Sequence, residues 1–337
     1  MPPVRFSKVV AVPTNGDLAK PKPILITGGA GFIGSHLVDR LALDESNRLV
    51  VIDNLRRGRL TNLEQVCGRF EFIQGDICDR NLLERAMRGI DLVYHLAAQS
   101  NVLGAVTDVD HSFRANVIGT FEVLRAAANA GVRRLVFTSS REVYGESPSL
   151  PVTETAPLQP KNAYGASKAA GEMYCRTFSS AAFPIAVLRL ANVFGARDFD
   201  RVIPIFVERA VRGLPLTLYG GKQVLDFIWI DMVIDALVRA GNDGPPIGPV
   251  NVGSGQPTDL PALANRILSE SRSSSQLLVV PARDVEVTRF VADTTLMKQT
   301  LGIQPSEDPL RHLGELIEAA AREYVSIPAD LSAGGST

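Results

Sequence analysis

The chain reads as an α/β protein, a doubly wound parallel sheet followed by a smaller mixed C-terminal substrate region, and three observations predict this. Short apolar runs recur at 24–26, 49–52, 70–73, 92–94, 135–137 and 185–188, each biased to β-branched or aromatic residues. Most are separated by a stretch of helical periodicity, and alternating strand and helix builds a parallel sheet covered on both faces. After about Gly195 the pattern loosens, with Pro204, Pro215, Gly220, Gly221 and Gly244-Pro245-Pro246 punctuating shorter elements.

Taken in order, residues 1–22 hold an apolar run of about six residues broken by Pro13, Asn15 and Gly16, too short for a secretory signal or a membrane span. They read as a flexible leader, 23–190 as the main sheet domain, 191–325 as the substrate region and 326–337 as a flexible tail. Within the substrate region, 226–240 is expected to pack back on the main sheet. The balance of 35 basic and 36 acidic residues leaves a net charge of −1, so no nucleic-acid or membrane partner is expected. Cys67, Cys78 and Cys175 are widely spaced with no Cys-x-x-Cys pair, which reads as reduced thiols in a cytoplasmic protein. No metal is expected.

The first apolar run leads directly into Thr27-Gly28-Gly29-Ala30-Gly31-Phe32-Ile33-Gly34 and then a helical segment. Gly28, Gly31 and Gly34 let the backbone turn sharply and approach a pyrophosphate, which the free N–H groups of a helix N-terminus favour. The spacing is Gly-x-x-Gly-x-x-Gly, and a tight turn alone needs similar residues. What adds weight is Asp53, 25 positions after Gly28 at the end of the next run, where a ribose-binding carboxylate is expected. Asp53 favours NAD over NADP, although Arg56 and Arg57 stand close enough to receive an extra phosphate. Asp76 is a candidate for the adenine amino group or for a helix cap. Ala97-Ala98-Gln99 supplies small residues where a cofactor passes close to backbone. Asn54, Ile77 and Leu96, with Phe32 and Ile33 of the glycine turn, share these loops and are cofactor-binding candidates too.

Tyr164 and Lys168 lie four apart at the start of a helix and so share a face. Oxidising a secondary alcohol requires a base for its proton, and a phenol is too weak an acid to be ionised near neutrality unless a close ammonium stabilises the phenolate. Tyr164 is the candidate base, Lys168 its tuner and a ribose ligand. Ser140 ends the run at 135–137 at the carboxyl edge of the sheet, where it can share the reacting hydroxyl.

With these motifs in hand the chain resembles the extended short-chain dehydrogenase/reductase family, in particular its nucleotide-sugar epimerases, dehydratases and decarboxylases. The matching stretches are 27–37, 51–55, 75–77, 95–99, 116–120, 138–145, 164–168 and 189–195, and the resemblance covers about 22 to 320. It implies a Rossmann domain binding NAD, a nucleotide-sugar substrate, UDP-linked first among candidates, and a homodimer formed through helices near 103–128 and 164–180. It also implies a cofactor contact for Asn116, a substrate-phosphate contact for Asn192, a base-wrapping segment from Val202 to Tyr219, and a diphosphate contact for Arg283. An ion pair with Asp284 or Glu286 is the plainer role for Arg283. The family often writes Arg-Asp-Phe where this chain has Leu225-Asp226-Phe227, so either Arg201 or Lys222 substitutes for that arginine or the substrate differs.

The same resemblance implies a common first step, oxidation at C4. A 4-epimerase then needs only a keto sugar free to rotate. A 4,6-dehydratase needs a base at C5 and an acid for the C6 hydroxyl, from an Asp-Glu pair after the Ser140 position. Here that pair is Arg141-Glu142. Glu142 remains a candidate base, but Arg141 stays protonated and is no general acid; it could instead pair with a uronate carboxylate. The expectation is an NAD-dependent nucleotide-sugar 4-epimerase. The alternatives are a dehydratase or uronic acid decarboxylase using Glu142, or a non-catalytic NAD-binding scaffold or sensor.

Overall fold

A computed structural model describes residues 22–326; the expected leader and tail, save Lys22 and Ser326, lie outside it. Its main sheet has seven strands: β1 (Pro23–Thr27), β2 (Arg48–Asp53), β3 (Phe70–Gln74), β4 (Leu92–His95), β5 (Arg134–Ser140), β6 (Ile185–Leu190) and, numbered after three short strands elsewhere, β10 (Ile247–Val252). Every pairing is parallel, in the order β10-β6-β5-β4-β1-β2-β3.

The apolar runs are continuous because both faces are covered. Ile24 and Ile26 enter one buried cluster while Leu25 between them enters the other. Leu49 and Val51 likewise oppose Val50 and Ile52. Full burial of each such side chain contributes about 1.5–3 kcal/mol.

The C-terminal part holds β7 (Asn192–Phe194), β8 (Leu216–Tyr219), β9 (Val224–Trp229), β11 (Pro257–Asp259) and β12 (Leu277–Val280). They form a three-stranded sheet, β11-β9-β7, and a pair, β12-β8, over a third apolar cluster. The helix Ile230–Ala240 sends Val233, Ile234 and Leu237 into the cluster shared with β1 and β6. Strand β10 comes from the region the sequence assigned to substrate, so a boundary at 190 cuts through the sheet. Pro249 and Gly248 hid it: an edge strand tolerates both, and its register shifts between Ile247 and Val250.

Candidate active site

The switch in strand order lies between β1 and β4, and a cleft of about 1160 Å³ opens there at the carboxyl ends of the strands. Every site residue named from the sequence lines this cleft except Asn116, and Lys222 is not on it either.

On the cofactor side, Gly28 has φ +73°, and a Cβ there would stand 2.7 Å from the amide nitrogen of Ala97. The turn is therefore tight against the loop after β4. Asp53 is 8% exposed and accepts from the N–H groups of Ala30 at 3.0 Å and Leu55 at 2.8 Å. Burial raises its carboxyl above the ordinary value, against these two bonds. Arg57 pairs with Asp200 at 2.7 Å, and Arg56 makes an exposed pair with Asp108 at 3.6 Å, so both guanidinium groups beside Asp53 have carboxylate partners. Asp76 accepts from the N–H of Cys78, and Asp79, not Asp76, caps the following helix.

Asn116 departs from its expected cofactor contact. It is 1% exposed, in a π-helical turn (Arg114–Ile118), and its amide is spent elsewhere. Oδ1 accepts from the Gln99 N–H at 2.7 Å, while Nδ2 donates to the Gln99 carbonyl at 3.0 Å and Ser167 Oγ at 2.9 Å. It stands behind the wall and ties the loop after β4 to the helix Ala163–Phe178.

That helix is capped by Asn162, whose Oδ1 accepts from the Gly165 N–H at 2.8 Å. A Cβ at Gly165 would fall 2.4 Å from the carbonyl oxygen of Glu142, so the helix seats directly on the turn after β5. Ser140 caps that turn (Arg141–Val143), accepting from the Glu142 N–H at 3.2 Å. Desolvation pushes the Tyr164 phenol above its ordinary value, opposed by the Arg201 guanidinium, the hydrogen bond with Ser140 and the Arg141 guanidinium. Lys168 donates to the Thr138 carbonyl at 2.8 Å, and burial lowers its ammonium to about 8. The Arg201 and Arg141 guanidinium groups thus both favour the phenolate form of Tyr164. Beneath lies a buried frame: Glu172 takes Arg189 at 2.9 and 2.7 Å and Ser139 Oγ at 2.5 Å.

On the substrate side, Arg141 donates from Nε to Asn192 Oδ1 at 3.2 Å and pairs with Glu142 at 2.9 Å. Arg201 pairs with Asp198 at 2.5 Å and lies 5.5 Å over the Phe32 ring. Arg283 pairs with Glu286 at 3.1 Å and stacks 3.4 Å from the Tyr219 ring, so the plainer ion pair exists on the cleft wall itself. Leu225 is buried, and Asp226 beside it accepts from the N–H groups of Ser254, Gly255 and Ala292 and from Ser254 Oγ. Two contributors went unseen in the sequence: Asn162, hidden as an ordinary cap, and Asp200, which also takes Asn101 Nδ2 at 2.8 Å. Among the described residues no group of three His, Cys, Asp or Glu is placed to hold a metal, and no helix is long and apolar enough to cross a membrane.

Residues 24–253 match the model of the NAD dependent epimerase/dehydratase family. The chain is 36% identical over 291 residues to the UDP-glucose 4-epimerase of Mycolicibacterium smegmatis, covering 83% of this chain and 93% of the relative. Its fold is similar to that of a UDP-glucose 4-epimerase of Thermotoga maritima solved with UDP-glucose, with TM-score 0.84, 32% identity and coverage of 90% and 99%. It is equally similar to a dTDP-glucose 4,6-dehydratase of Streptomyces venezuelae solved with NAD, with TM-score 0.84, 30% identity and coverage of 89% and 97%. The tight glycine turn, the buried Asp53 and the engaged Arg56 and Arg57 fit NAD, which is the cofactor. The chain belongs to the NAD dependent epimerase/dehydratase family of nucleotide-sugar enzymes.

Proposed function

We propose that the chain is a nucleotide-sugar 4-epimerase working through a transient 4-keto sugar, with a UDP-hexose as the favoured substrate. The observation that carries the reading is Arg141: the position after Ser140 holds a guanidinium already paired with Glu142, not an acid able to protonate a leaving C6 hydroxyl. The named epimerase relatives support it.

In this reading Tyr164 takes the C4 hydroxyl proton while Ser140 shares the hydroxyl and holds it against the phenol. Lys168, fixed by the Thr138 carbonyl, would hold the nicotinamide ribose through its ammonium. The turn from Gly28 to Gly34 would hold the pyrophosphate, and Asp53 the adenosine ribose. NAD, when bound, supplies the acceptor and later the donor of the C4 hydride. Asn192, Arg201 and Arg283 line the side where a sugar diphosphate would sit.

The test is a panel of UDP-, dTDP-, GDP- and CDP-sugars with products read by mass and NMR. Unchanged mass with inverted C4 is expected; loss of water or carbon dioxide would refute the reading. Tyr164→Phe should cut turnover by roughly 10²- to 10⁴-fold while retaining NAD. The chain is further proposed to work as a homodimer, since Val109, Phe113, Ile118, Met173 and Tyr174 are all exposed on the two helical segments concerned. Phe113→Glu should shift sedimentation from dimer to monomer; an unchanged dimer would place the interface elsewhere.

A further inference from the structure

We propose that Arg141 and Asn162 together form a lock on Glu142 that stops the keto sugar from losing water, making them specificity-determining residues for the fate of the intermediate. The inference rests on the 4-epimerase reading above.

The chemical need comes first. A ketone at C4 makes the neighbouring C5 proton acidic. If a carboxylate beside it took that proton, the C–H electron pair would form a C5=C6 double bond as the C6–O bond broke. The hydroxyl would depart as water by taking back the proton that the carboxylate had just received from C5. Nothing is oxidised or reduced in that step, and its product no longer returns to a hexose by simple rotation and reduction. An epimerase with a carboxylate in its cleft must therefore disarm it.

Glu142 is such a carboxylate: it lines the cleft two residues after Ser140 and is 4% exposed. Both its oxygens are held. Arg141 Nη2 reaches Oε1 at 2.9 Å, and Asn162 Nδ2 donates to Oε2 at 2.7 Å. The holders are themselves fixed. Arg141 Nε donates to Asn192 at 3.2 Å and its guanidinium lies 5.8 Å over the Phe290 ring. Asn162 Nδ2 also donates to the Val285 carbonyl at 3.0 Å, and its Oδ1 caps the helix bearing Tyr164. To take a proton from the sugar, the carboxylate would have to give up one of these two bonds, one of them charge-assisted. Swinging free would leave the buried guanidinium without its counter-charge, a large penalty.

The experiment uses the full chain with NAD bound, a nucleotide-hexose that it epimerises, and D₂O as solvent, reading deuterium at C5 by NMR and water loss by mass. The wild type should invert C4 with no C5 deuterium. Arg141→Ser and Arg141→Gln should raise C5 deuterium per C4 inversion by on the order of 100-fold, the low end of what a placed general base contributes. Adding Glu142→Gln should abolish that gain, and Arg141→Lys should stay near the wild type. Inversion without added C5 deuterium in both variants, or deuterium that survives Glu142→Gln, would overturn the lock. A wild type that inverts no sugar of the panel would instead overturn the 4-epimerase reading. A crystal structure with UDP-glucose bound supplies the remaining arm: Glu142 still on Arg141 and Asn162 supports the lock, and Glu142 turned onto the sugar refutes it.

Discussion

On the cofactor side of the cleft the key contacts are local to strand ends: Asp53 accepts from Leu55 two residues on, and from Ala30 in the turn after the neighbouring strand β1, 23 residues earlier. On the substrate side the chain must fold back on itself. Arg141 meets Asn192 across 51 positions, Asn192 meets the Asp226 carbonyl across 34, and Asn101 meets Asp200 across 99. The first side is built by backbone packing that leaves little room for change. The second is built by long, charged side chains.

Lys168 sits where the two sides join and should show the largest effect. Its ammonium is lowered by burial from 10.5 to about 8. Between those values the unfolded chain holds a proton that the folded chain has lost, so stability rises with pH across that window. Below about pH 8 the folded state carries the whole penalty, on the order of 3 kcal/mol. Lys168→Met should therefore resist denaturant better than the wild type at pH 7, with the gap narrowing towards pH 10. Equal pH slopes for the two proteins would contradict it.

A matched pair then tests the contrast itself. Gly28→Ala places a side chain at φ +73° and against the Ala97 backbone; the left-handed backbone alone costs roughly 1–2 kcal/mol. Both melting temperature and NAD retention should fall. Arg283→Ala should leave stability within about 0.5 kcal/mol. Its KM for the nucleotide sugar should rise roughly 10- to 100-fold, as loss of a charged hydrogen bond implies, with NAD retention unchanged. If Arg283→Ala melted early, or Gly28→Ala spared NAD, the two sides would not differ as described.

The contrast also explains what the sequence disclosed. The first six strands of the sheet were legible because burial on both faces writes continuous apolar runs, and the glycine turn and Asp53 because each sits at a strand end. Strand β10 was hidden by Gly248 and Pro249, which read as a loop but are tolerated at an edge. Asp200 carried no local signal, since its partners are set by the folding of the chain and not by spacing. Asn116 shows the reverse case, a motif residue recognised by pattern whose side chain serves the wall and not the cleft.

One short turn has a bearing on how such enzymes diverge. Ser140 caps the turn that carries Arg141 and Glu142, so the hydroxyl placed beside Tyr164 and the ion pair beside it are three consecutive codons. The helix of Tyr164 and Lys168 has a second anchorage away from that turn, through Glu172 to Arg189 on β6. A lineage can therefore change what becomes of its intermediate by replacing one or two amino acids, while the scaffold that performs the oxidation is inherited intact.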